Sequence, residues 1–186
     1  LKKIQKKISI PIIDVIVPSV KAISKLQDIK TIGVIGTETT INSFEYQKQI
    51  KAVNTRCKVI ARPCSLFVPL IEEGLSNHPI ADYIVKMYLD KKFCSNINAL
   101  ILGCTHYPML KNKITQHLDN HQHIIDSSTA TAVHVKQYLN TTNLNIRKSN
   151  TLVDQFYVSD KVSRFNEIAS MFLDEPIVHI QQIDLK

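Results

Sequence analysis

Along the whole chain, short apolar runs rich in isoleucine and valine alternate with amphipathic stretches of helical period, and each run ends near a Gly, Pro, Ser or Thr. This alternation constrains the fold most, because a strand that is apolar on both sides must be covered on both sides. A mostly parallel sheet flanked by helices, the α/β class, meets that demand. The pattern predicts strands over residues 10–17, 31–35, 58–62, 99–102, 123–126, 152–158 and 177–180. It predicts helices over 20–26, 40–53, 80–89, 109–118, 129–138 and 163–172. Residues 140–151, polar and rich in Asn and Thr, read as a surface loop or a domain crossing. One and a half doubly wound units fit the series. Such sheets bind ligands beyond the carboxyl ends of their strands, so the residues just after each strand are the first candidates for a site.

Composition removes several alternatives. With 44% hydrophobic and 21% charged residues, the 186-residue chain can build a core and is neither disordered nor fibrous. No run approaches the roughly 18 consecutive apolar residues of a membrane span, and residues 1–13 lack the continuous apolar core of an export signal. The four cysteines, Cys57, Cys64, Cys94 and Cys104, form no C-x-x-C pair and read as free thiols of a reducing cytoplasm. A formal charge of +7 favours acidic partners. Nucleic acid is not expected, because the acidic residues are interspersed among the basic ones and no helix-turn-helix or aromatic-basic pattern occurs. A small anionic substrate would also benefit from that field. Among His117, His121, His123, His134 and His179 no pair carries a third ligand at believable spacing, so no metal is expected.

All four glycines, Gly33, Gly36, Gly74 and Gly103, fall in three short segments: I-G-V-I-G-T-E-T-T over 32–40, F-V-P-L-I-E-E-G over 67–74, and I-L-G-C-T-H-Y-P over 101–108. Gly33-x-x-Gly36 lacks both the third glycine of a dinucleotide fingerprint and the lysine of a phosphate loop. The third segment carries chemistry. A buried strand delivers Cys104 to its carboxyl end, and Pro108 suits the first turn of a following helix. A thiol near the positive end of a helix has its pKa lowered, and His106, two residues on, can take or return its proton. Thr105 adds a hydroxyl and an N–H suited to a carboxylate. Cys57 and Cys94 read as structural, Cys94 in a loop; Cys64, between Pro63 and Ser65, lies near the second segment without a chemical role being required of it.

The segment G-C-T-H-Y-P over 103–108, preceded by L-I-L, resembles the second cysteine motif of the cofactor-independent glutamate racemases in the aspartate/glutamate racemase superfamily. Segments 32–40 and 67–72 resemble that family's I-G-x-x-G-T-x-x-T and F-V-P-L-[IV]-E, in the same order, and Y-V-S-D over 157–160 with Phe165 resembles its closing strand and helix. The resemblance implies interconversion of L- and D-glutamate by two thiols on opposite faces of Cα, without pyridoxal phosphate, supplying D-glutamate for peptidoglycan. It implies that Cys104 serves the L-enantiomer's face, with His106 as proton partner and Glu72 assisting. Thr37, Thr40 and Thr105 match substrate-binding positions. No cofactor is implied, and a homodimer is left open.

The family's upstream D-S-G and C-N-T-x-S strings, the latter holding the partner cysteine, do not occur in this sequence, which begins at Leu1 and not at a methionine. The expectation is therefore a remnant of a first lobe with its crossover over 1–17, one complete racemase-type lobe over 18–122, and the returning C-terminal part of a second, pseudo-symmetric lobe over 123–186. Alone, such a chain is expected to be inactive or incomplete, because one thiol can exchange a proton on one face only. The alternatives are an aspartate racemase of the same superfamily, a hydrolase or transferase using Cys104 as nucleophile, and a basic binding module.

Overall fold

The computed structural model describes residues 2–119, 121–142, 144, 154–160 and 162–184. Its centre is β1 (Thr31–Gly36), whose side chains alternate between two cores. Ile32 and Val34 face one cluster together with Ala99 and Ile101 of β3 (Ala99–Leu102). Ile35 faces the other with Leu100 and Leu102. All four residues of β3 are fully buried. A continuous apolar run is therefore a strand covered on both faces, each buried Ile or Leu being worth roughly 1.5–3 kcal/mol.

The strands run in parallel in the order β2-β1-β3-β4, with β2 at Lys58–Pro63 and β4 at His123–Asp126. Between β1 and β2 stand α3 (Glu38–Asn42) and α4 (Glu45–Val53). Between β2 and β3 stand α5 (Phe67–Glu72), α6 (Pro79–Tyr88) and α7 (Lys91–Cys94). A 3₁₀ turn (Tyr107–Leu110) and α8 (Lys111–Gln116) link β3 to β4, and α9 (Ser127–Thr141) follows β4. Near the start lie α1 (Lys2–Gln5) and α2 (Ile16–Ser24), the latter packed on α4 and α9.

The chain divides into two compact units, Leu1–Asn143 and Leu144–Lys186. The second unit holds β5 (Phe156–Val158), α10 (Val162–Leu173) and β6 (Ile180–Gln182), with β5 and β6 paired in parallel. His123–Asp126 bonds to β3 as the sheet's fourth strand and so lies in the first unit.

Several expected elements differ. Residues 10–15 form no strand, and α2 starts at Ile16. The reason is local: Asp14 Oδ1 accepts from the N–H groups of Ile16 at 2.8 Å and Val17 at 2.7 Å, winding an apolar run into a first helical turn. The single helix expected over 40–53 is two helices, because Phe44 adopts a left-handed φ of 56° between α3 and α4. The helix expected over 109–118 is the 3₁₀ turn followed by the six residues of α8. Cys94 ends α7 instead of lying in a loop: Asp90 accepts from Phe93 N and starts that helix. The strand expected over 177–180 is observed as Ile180–Gln182. Residues 152 and 153, and 145–151 of the expected linker, lie outside the described residues.

Candidate active site

In the sheet order, the chain leaves β1 toward β2 on one side and returns to place β3 on the other, so the crevice beyond β1 and β3 is the topological switch point. Thr37 follows β1 and Cys104 follows β3 by two residues, so the two flank that crevice. The strand ends are tightly joined. Gly103 N donates to Ile35 O at 2.7 Å, and Cys64 N donates to Gly36 O at 2.9 Å. Gly103 is needed for close approach: a Cβ there would stand 2.9 Å from Ile35 O and 3.0 Å from the Tyr46 ring.

Thr37 caps α3, its Oγ1 accepting from Thr40 N at 3.3 Å and lying 3.0 Å from Thr40 Oγ1. The Thr37 and Thr40 hydroxyls of the I-G-T-E-T-T segment are thus paired beside the switch point. Thr105 is exposed, with its Oγ1 3.5 Å from His106 Nδ1. On its other side the His106 ring meets Glu72, Nε2 to Oε1, at 3.4 Å.

Glu72 comes from a different strand connection, and aromatic packing brings it there. Tyr107, fully buried, donates its hydroxyl to Cys64 O at 2.9 Å. Its ring stands edge-on to Phe67 at 5.0 Å. Phe67 opens α5 and Glu72 closes it, so the Phe67–Tyr107 contact docks α5 beside the Cys104 loop. Gly74, with φ 72°, then lets the chain turn away in a conformation unfavourable to other residues.

Cys104 is partly buried, and it alone of the four cysteines is not fully enclosed. Burial pushes its thiol up from the ordinary cysteine range; the N–H groups of His106 and Tyr107 draw it back only in part. The expected lowering by a helix end does not occur. Cys104 is followed by a short 3₁₀ turn, and α8 begins only at Lys111, beyond the reach of a helix-end charge. At neutral pH Cys104 therefore rests as a protonated thiol. Cys57, Cys64 and Cys94 are buried, with Cys64 pushed up to about 12 by burial. What Cys64 contributes is its carbonyl, the anchor of Tyr107.

Sequence reasoning missed Tyr46, Phe67 and the docking role of Tyr107. Tyr107 stood inside the quoted motif, but nothing in the pattern indicated where its hydroxyl would go. A cavity of about 650 Å³ between α2, α9 and β4, lined among others by Lys21, Lys25, Lys111 and His134, contains none of the site residues. Among the described residues, no group of three His, Cys, Asp or Glu is placed to hold a metal, and no helix is long and apolar enough to cross a membrane.

The family described as Asp/Glu/Hydantoin racemase matches residues 1–135. The chain belongs to that racemase family. Its members are isomerases, and the sheet of this one matches solved structures of glutamate racemases. The glutamate racemase of Francisella tularensis, solved with D-glutamate, is 37% identical with a TM-score of 0.87, covering 98% of this chain and 68% of that one. A glutamate racemase of Bacillus anthracis is 32% identical with a TM-score of 0.89, covering 99% of this chain and 68% of that one. The glutamate racemase of Persephonella marina is 38% identical over 185 residues, 100% of this chain and 68% of the relative. Likeness to an aspartate racemase homologue of Pyrococcus horikoshii, at 16% identity and a TM-score of 0.57, speaks for the fold alone.

Proposed function

We propose that this racemase-family chain acts on glutamate and supplies one of the two thiols of a cofactor-independent racemisation, with Cys104 serving the L-enantiomer's face. The observation that carries the reading is the switch-point arrangement: Cys104 at the end of β3, the Thr37–Thr40 hydroxyls at the end of β1, and the Glu72–His106 pair, which joins the end of α5 to the Cys104 loop. The similarity to glutamate racemases over the whole chain supports glutamate over aspartate as the substrate. By the family resemblance, the product is D-glutamate for peptidoglycan synthesis.

The steps follow from the proton's place at rest. A Cα–H is a very weak acid, so its base must be desolvated and aligned. In one direction the Cys104 thiol, already protonated, gives its proton to the carbanion on its own face and becomes a thiolate. In the other, the thiol first loses its proton, with His106 as carrier and Glu72 holding the imidazole. The thiolate then takes the Cα proton while the electron pair stays on the substrate. Thr37, Thr40 and Thr105 meet the substrate's carboxylates and amino group, with donors fixed before charge develops. Cys57, Cys64 and Cys94 are buried and unsuited to the opposite face, so full inversion needs a second thiol beyond these residues.

The test is incubation of the chain with L-glutamate in D₂O. The expected result is deuterium at Cα with configuration retained and no mass added to the protein. An acyl adduct on Cys104 without Cα exchange would replace this reading with a nucleophilic hydrolase or transferase.

A further inference from the structure

Tyr46, on α4, is one of the largest fully buried side chains, and no catalytic step described above uses it. It belongs to the core on the face of the sheet opposite the one that Cys104 packs against. Between the two lies Gly103. The ring of Tyr46 stands 3.0 Å from the place a Gly103 Cβ would occupy, and on the same side the Ile35 carbonyl, which accepts from Gly103 N, stands at 2.9 Å. Gly103 is thus held by a hydrogen bond and walled by the Tyr46 ring, one residue before the thiol.

The hydroxyl of Tyr46 does not explain its presence. It is buried and makes no hydrogen bond among the described residues; the Ser19 hydroxyl lies near it but donates to Val15 O at 2.9 Å. A buried phenol without a partner is a cost that phenylalanine would avoid. What the site retains is the flat, rigid ring.

We propose that Tyr46 is a positioning residue for Cys104: its ring, packed against Gly103, clamps the end of β3 and keeps the thiol in its low-polarity seat. This rests on the reading of Cys104 as a proton-transfer residue, but its test does not require turnover. The groups that face the thiol are the N–H groups of His106 and Tyr107 on its own loop, with the Tyr107 phenol and Cys64 on the side it packs against. From the opposite side comes the Tyr46 phenol, which has Asp14, just ahead of α2, near it as a further charge. The Glu72–His106 pair closes the set. Burial is the largest influence on the thiol, so loosening the clamp admits water and the thiol ionises at lower pH.

The experiment is alkylation of the native chain by iodoacetamide across pH, with Cys104 read by peptide mass so that the buried cysteines do not interfere. Tyr46→Leu removes the flat ring, and Tyr46→Phe keeps it. Tyr46→Leu is expected to lower the Cys104 midpoint by about one pH unit, with about tenfold faster alkylation at neutral pH, while Tyr46→Phe keeps the original profile. Should Tyr46→Leu not fold, Tyr46→Met carries the same comparison. A wild-type profile in the ring-less variant, or an equal shift in Tyr46→Phe, overturns the proposal. Either result leaves the deuterium test of Cys104 untouched, and failure of that test leaves the alkylation result standing.

Discussion

Cys104 is subject to opposing influences, and the balance between them decides how it works. Burial raises the thiol and two backbone N–H groups lower it, burial being the larger. A protonated thiol is a ready acid, but it becomes a base only after something takes its proton. In the proposed racemisation that task falls to His106, whose ring lies 3.4 Å from the Glu72 carboxylate. His106→Asn is accordingly expected to slow deuterium uptake by L-glutamate about 10²-fold, the low end for a general acid–base group. Cys104 in that variant remains reactive to iodoacetamide, and unchanged uptake would remove His106 from the proton path. The candidate residues themselves were legible in the sequence, because Cys104, Thr105 and His106 are neighbours and the glycine segments marked their strand ends. The direction of the thiol's shift was not. It depends on what encloses the sulfur, and the core that Cys104 packs against is assembled from residues as far apart in sequence as Ile35, Phe67 and Leu110.

For the secondary-structure elements, the two central strands, β1 and β3, could be read from apolar runs alone, since both are buried on both faces. The failures share one cause: side-chain capping and single backbone reversals compete with periodicity. Residues 10–17 alternate little and carry four isoleucines and two valines besides Asp14 and Pro11, a strand by composition; the Asp14 carboxylate turns them into the start of α2. Asp14→Ala should therefore destabilise the chain by about 1 kcal/mol, the usual worth of a helix-starting side chain. Urea unfolding measures this, and a change within about 0.3 kcal/mol would mean that packing of α2 on α4 and α9 fixes the helix without its cap. The break at Phe44 has the same character. An amphipathic period runs through it, and only its left-handed φ separates α3 from α4.

For the molecule as a whole, a core holding four cysteines and two buried tyrosines near the site predicts sensitivity to alkali. All four thiols and Tyr46 are raised by burial, with Cys64 and Tyr46 at about 12. An unfolded cysteine ionises near pH 8.5, so above that pH the folded chain binds more protons than the unfolded one. Stability is then full below about pH 8 and falls as pH rises, by about 1.4 kcal/mol per pH unit for each group ionised only in the unfolded chain. Thermal unfolding from pH 7 to 10 measures it, and a flat profile would show that these groups gain water in the folded chain. The α/β class was legible because alternation of strands and helices is a property of the whole sequence. The division at Asn143 falls inside residues 140–151, which the sequence offered as a loop or a domain crossing; that β4 takes β3 as its partner was not legible, because one strand's pattern does not name its neighbour. The most direct test of the proton-transfer role compares deuterium incorporation at Cα of L-glutamate by the chain and by its Cys104→Ser variant, at equal folded concentration. Incorporation with retained configuration that disappears in the variant is the predicted result; equal incorporation by both would contradict it.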